Sequence, residues 1–164
     1  MSTRSNNPQL GTAEVRQLTT FYVDGDLFGL EVMKVQEVTA KPMVFEVPLA
    51  PSFVHGLVNL RGQIATAVGL REIFCKSPTS ADDQMSVVCK LDGNYVSLIV
   101  DSIGDVLEVE GAVFEAPPEA IPFEVRKFLK GIYKLQGQLL SVLDLDAFAI
   151  ELSPTMESSN SIPT

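Results

Sequence analysis

The chain has 164 residues, with 12 Lys and Arg against 21 Asp and Glu, a formal net charge of −9 at pH 7. This balance argues against nucleic acid or an anionic membrane surface as a partner, because both reward clustered cations and the basic residues here are scattered. Hydrophobic residues make up 46% of the sequence, but no apolar run approaches the ~20 residues of a membrane helix, and the start of the chain lacks the regions of a secretion signal; a soluble, cytoplasmic protein without direct membrane insertion is expected.

Residues 1–16 are polar and are expected to form a disordered tail. Residues 18–23 then alternate and run into Asp24-Gly25-Asp26, a hairpin signal, with 27–32 as the return strand. Residues 33–36 read as a helical turn, 37–41 as the approach to a third strand that Pro42 limits, and 44–47 as a short apolar strand. Pro48 and Pro51 fix an extended connection. The stretch 56–74 carries two apolar runs flanking Arg61-Gly62, a second tight turn, followed by Leu70, Ile73 and Phe74 at helical spacing. Residues 76–84, rich in Ser, Asp and Thr, read as a linker. Beyond it, 85–91 and 95–101 form a hairpin through Asp92-Gly93-Asn94, 105–109 a short strand, 115–122 a proline-rich connector, and 124–130 one or two helical turns. A last hairpin around Gly137 precedes a terminal helix, with Asp144 as its N-cap, to about residue 152; 153–164 form a second polar tail.

The order of these elements is itself a repeat. Gly56, Leu60, Gly62, Gln63 and Leu70 have identical counterparts in Gly131, Leu135, Gly137, Gln138 and Leu145, and the hairpin at Asp24-Gly25 matches that at Asp92-Gly93. Two matching segments in the same order imply two homologous halves, residues 17–80 and 81–152. Each half is too small for an ample core of its own and is expected to lean on the other. The fold class expected is all-β: two pseudo-symmetric five-stranded barrels packed together, with short helices after each second hairpin.

Enzymatic motifs are missing. There is no phosphate-binding glycine loop, no Gly-x-Ser-x-Gly, no His-x-x-x-His and no Cys-x-x-Cys, so no cofactor, metal or catalytic residue is expected. Cys75 and Cys89 read as reduced, partly buried thiols, and His55, the only histidine, as a structural or surface side chain. Asp101 and Asp105 resemble an acid/base pair only superficially, since their counterparts are Met33 and Glu37; they read as a turn residue and a solvated strand charge. A small-molecule-binding barrel or a hydrolase would need a deep polar pocket joining Asp101, Asp105 and His55. The repeat separates what the fold needs from what one copy adds. Both turns keep Gly, but Arg61 stands where the second copy has Gln136, and Asn59 where it has Lys134. Arg61 is therefore a candidate for partner contact, its rigid fork of donors suited to a carboxylate or carbonyl, or else a surface arginine paired within its own half. Met43, Val44 and Phe45 cannot all point inward from one strand, so at least one faces outward.

Taken together, residues 21–38, 48–53, 56–74 with Asn59-Leu60-Arg61-Gly62, 93–107 with Val100-Asp101, and the 131–145 hairpin resemble the CheW family of bacterial chemotaxis coupling proteins. The resemblance implies two SH3-like five-stranded barrels and a non-enzymatic adaptor. Its partners would be the cytoplasmic helical hairpin of a chemoreceptor, the regulatory domain of the histidine kinase CheA, and other CheW-like domains in rings. It places Val35, Glu37, Asn59, Arg61, Ile103 and Val106 at the receptor surface and Val44, Phe45 and Val47 toward the kinase. A CheW-like scaffold of another sensory array, such as a pilus or surface-sensing pathway, is the alternative. The family usually has Asp where this chain has Gly69, so Gly69→Asp is expected to add a few tenths to about 1 kcal/mol through helix capping.

Overall fold

The computed structural model describes residues 16–80 and 82–160; apart from Arg16, the expected N-terminal tail lies outside the described residues. Five strands come from the first half: β1 (Gln17–Val23), β2 (Asp26–Glu31), β3 (Val35–Ala40), β4 (Val54–Leu60) and β5 (Gln63–Gly69). Six come from the second: β6 (Met85–Leu91), β7 (Asn94–Val100), β8 (Ser102–Glu108), β9 (Val113–Glu115), β10 (Leu129–Leu135) and β11 (Gln138–Leu143). A 3₁₀ turn at Val32–Lys34 and three helices, α1 (Leu70–Ile73), α2 (Phe123–Arg126) and α3 (Leu145–Asn160), complete the described elements. The protein is mostly β, in two sheets, as the alternation and turn signals require. Three hairpins close through two-residue turns with both residues at positive φ: Asp24-Gly25 (50° and 85°), Arg61-Gly62 (55° and 84°) and Asp92-Gly93 (47° and 83°). That handedness matches the twist of the flanking strands.

The sheets do not follow the halves of the sequence. The six-stranded sheet runs β8-β1-β2-β11-β10-β9 and the five-stranded sheet β3-β6-β7-β5-β4. Each half's opening hairpin thus joins the other half's closing hairpin, through parallel ladders of β2 on β11 and of β7 on β5. The expectation of one barrel from 17–80 and another from 81–152 is corrected accordingly: sequence similarity shows that two copies exist, but not whether their strands pair within a copy or between copies. Three further differences are local. Residues 44–47 form no strand and pair with β4 only through an isolated bridge, Phe45 to Leu57. β9 (Val113–Glu115) leads into the proline-rich connector, where the sequence reading placed no strand. α3 runs on to Asn160, so the described part of the expected C-terminal tail is helical.

The largest apolar cluster draws on both halves, with Phe21, Val23, Phe28 and Leu30 from β1 and β2, Val87, Leu98 and Val100 from β6 and β7, and Phe148 and Leu152 from α3. Phe53 and Phe128, equivalent residues of the two copies, meet edge to face with centroids 5.9 Å apart. A smaller cluster lies within each sheet, around Leu18, Leu27 and Leu140 in one and Val58, Ala65 and Ile99 in the other. At the second, Ser86 and Ser97 are fully buried and bond each other at 2.5 Å, satisfying hydroxyls that burial would otherwise penalise. Gly56 and Gly131 are identical for a packing reason. A Cβ at Gly56 (φ 146°) would fall 2.2 Å from the carbonyl oxygen of Phe45, and one at Gly131 would fall 2.2 Å from the Phe114 ring. In each sheet an outer segment approaches too closely for any side chain.

Candidate functional site

The β4–β5 turn presents Arg61 with its side chain 81% exposed and Nη2 3.1 Å from Oε1 of Glu37 on β3. A non-glycine residue at φ 55° costs of order 1 kcal/mol. The strain is braced locally, because Asn59 Oδ1 accepts the Gly62 N–H at 2.9 Å. At the second turn only Gly137 (φ 84°) is left-handed, and Lys134, the counterpart of Asn59, pairs with Glu115 at 3.0 Å. Beside Arg61, a groove of about 200 Å³ is lined by Gln36, Leu60, Gln63, Val88 and Tyr95. An ion pair this exposed is worth little in stability, so its carboxylate can be exchanged for another at small cost.

Through the Arg61–Glu37 pair, the structure joins Asn59 and Arg61 at the end of β4 to Glu37 on β3, the opposite edge strand of the five-stranded sheet. Asn59 acts there as the brace of the turn. Val35 sits on β3 with Glu37, half-buried against the central core. Ile103 and Val106 lie on β8, the edge strand of the other sheet, Ile103 packing on that same core and Val106 56% exposed. Of the three consecutive apolar residues, Val44 turns in beside Gly56 while Met43 and Phe45 face out, 75% and 60% exposed. Val44 and Val47 line an open cleft with Lys41, Glu46, Ser52 and His55.

The polar residues with catalytic possibilities are separately committed. Asp101 takes two bonds from Arg71, Nε to Oδ1 at 3.0 Å and Nη2 to Oδ2 at 2.8 Å, and the Asp24 backbone N–H at 2.6 Å. Burial opposes its ionisation most strongly, but the Arg71 and Asp24 hydrogen bonds, the Arg71 charge and Gln84 together hold the carboxyl below its usual range. Asp105 is exposed, and its carbonyl accepts from Thr20. His55 bonds Glu72 at 3.1 Å. These three residues form no common site. Cys89 is buried, its thiol pushed up to about 12 by desolvation; Cys75 is exposed, correcting its expected partial burial. Among the described residues, no cluster of three His, Cys, Asp or Glu side chains is placed to hold a metal.

The surroundings of Gly69 bear on the capping expectation. It does stand at the N-terminus of α1, with φ −88°, but a Cβ there would meet Glu72 Oε1 at 2.0 Å and His55 Nε2 at 2.2 Å. The His55–Glu72 pair fills the volume an aspartate would use, so Gly69→Asp displaces it and sets a second carboxylate beside Glu72. Sequence reasoning also missed Arg71; it lies outside the turn signals, and its partner is 30 residues away.

The fold and this site define a class: a two-sheet β protein whose distinctive residues are gathered at exposed corners and edges rather than in a catalytic pocket. The comparisons then specify it. Residues 17–152 match the model of the CheW-like domain. The chain is 28% identical over 143 residues to chemotaxis protein CheW of Treponema pallidum, covering 84% of each, and 26% identical over 132 residues to that of Klebsiella aerogenes, covering 80% of each. The crystal structure of the scaffolding protein TtCheW from Thermoanaerobacter tengcongensis has the same fold, with a TM-score of 0.72 over 79% of this chain and 89% of that one at 24% identity. The chain belongs to the CheW-like domain family, whose members are scaffolds and not enzymes.

Proposed function

We propose that this chain is a cytoplasmic adaptor that couples the cytoplasmic helical hairpin of a chemoreceptor to the regulatory domain of CheA in chemotaxis signalling. The observation that carries the reading is Arg61, exposed on a strained turn, held among the described residues by a weak surface pair, and replaced by Gln136 in the copy that keeps the same hairpin. A receptor carboxylate or helix-end carbonyl offers its guanidinium a bidentate partner. Val35, Glu37, Ile103 and Val106 would extend that surface along two edge strands, with Asn59 fixing the turn. Phe45, 60% exposed beside β4, would face the kinase domain, with Val44 and Val47 supporting it. No helix among the described residues is long and apolar enough to cross a membrane.

Calorimetric titration against a chemoreceptor cytoplasmic fragment and a CheA regulatory domain tests this. Binding to both is expected. Arg61→Ala should weaken receptor affinity roughly 10-fold or more, as for loss of one charge-assisted contact, and leave kinase affinity alone; Phe45→Ala should do the reverse. Binding to neither partner overturns the adaptor reading.

A further inference from the structure

The repeat exposes a second feature that one copy has and the other lacks. The guanidinium of Arg71, besides its two bonds to Asp101, donates to the carbonyl of Ser77 at 2.5 Å and stands 3.6 Å from the Asp24 carboxylate. The Asp101 carboxylate, besides Arg71 and the Asp24 N–H, stands 3.5 Å from the side-chain nitrogen of Gln84. One ion pair thus ties together the β1–β2 turn, α1, both ends of the linker and the residue that immediately precedes β8. At the equivalent positions stand Asp146 and Met33, the latter 92% exposed. The fold forms there without a clamp, so packing alone does not require one.

What the clamp holds is β8. This strand is the edge of its sheet and pairs with β1 alone, through a register shift between Thr19 and Phe21. Beyond Asp101 and its ladder to β1, it has one further polar anchor among the described residues. The buried Thr20 donates to the carbonyl of Asp105 at 2.5 Å, and Gly104 makes room, since a Cβ there would lie 2.6 Å from the Thr20 hydroxyl. Ile103 falls between the two anchors and Val106 directly after the second. An edge strand with a single neighbour frays easily, and these attachments fix its start and its middle.

We infer that Arg71 and Asp101 are positioning residues for a binding edge: they hold β8 so that Ile103 and Val106 are presented in one register, and they join that edge to the linker and α1. The identity of the partner rests on the proposed adaptor function; the positioning itself does not. The test uses the full chain with Asp101→Asn and with Arg71→Lys, which keeps the charge but loses the two-pronged geometry. Amide exchange is followed by NMR at residues 102–108 and at 35–40, with receptor-fragment and kinase-domain affinities measured alongside. The expected result is exchange at least about tenfold faster in β8 with β3 unchanged, and a receptor affinity several-fold lower with kinase affinity kept, within the range a packed contact transmits. Unchanged β8 exchange, or faster exchange throughout with equal loss toward both partners, overturns the inference. Should Asp101→Asn fail to fold, Arg71→Lys decides alone. Should the wild-type chain bind no receptor fragment, the adaptor reading falls while β8 exchange still decides the positioning role.

Discussion

The two closing hairpins start from the same residues and end with different properties. Both have Gly at the turn, Gln after it and a glycine where an outer segment crosses closely. The first holds Arg61 in a left-handed conformation braced by Asn59; the second leaves Gln136 unstrained and pairs Lys134 with Glu115 across its face. Since one fold accommodates both solutions, the fold itself does not demand the costlier one. The same reasoning separates Arg71 and Asp101 from Asp146 and Met33. An internal repeat thus serves as a control that a single domain lacks.

The largest break in this comparison is to remove one half. Because each sheet takes a hairpin from each copy, residues 16–80 and 82–160 prepared separately should show no cooperative thermal transition as monomers, whereas mixing them should restore a β circular dichroism signal. Next come the matched glycines. Gly56→Ala should cost about 3 kcal/mol or more, since backbone carbonyl and positive φ both oppose it, and Gly131→Ala less, about 1–3 kcal/mol, because a ring can shift; urea midpoints read the order.

Asp101→Asn should cost about 2 kcal/mol at pH 7, the scale of a charged hydrogen bond left half-made. The folded carboxyl titrates below its unfolded value of about 3.9, so its contribution is complete above that value and disappears as pH falls through the lower, folded one. The gap between variant and wild type should therefore narrow in denaturation at pH 3. Asp144 caps α3 through the N–H groups of Asp146 and Ala147 at 3.0 and 3.3 Å; Asp144→Ala should cost about 1 kcal/mol, while Gly69→Asp should gain nothing and lower the thermal midpoint. Smallest is the turn itself. Arg61→Gly should raise stability by a few tenths of a kcal/mol by relieving the positive φ, and Gln136→Gly should not.

Most elements were legible because their signals are local. Asp24-Gly25, Arg61-Gly62 and Asp92-Gly93 mark turns by backbone preference alone, and Asp144 marks a cap by its spacing to the helix it starts. The exchange of hairpins was not legible, since period-two alternation gives a strand a buried face without naming its neighbour. Arg61 stood out because it sits beside a turn shared by both copies. Arg71 did not, because its meaning depends on Asp101, which reads as an ordinary turn residue until the fold places it against a guanidinium. The space at Gly69 was not legible for the same reason: the side chains that fill it, His55 and Glu72, come from a strand and a helix turn whose closeness is tertiary.

The traded hairpins carry a genetic consequence as well. A chain of half this length, holding one opening and one closing hairpin, can complete either sheet only by exchanging strands with a second copy of itself, as a two-fold homodimer. In such a dimer every substitution appears twice, once on each side of the axis. In one chain that carries both copies the constraint is absent, so Arg61 can differ from Gln136 and Arg71 from Asp146, and the two equivalent ends of the fold need not present the same residues.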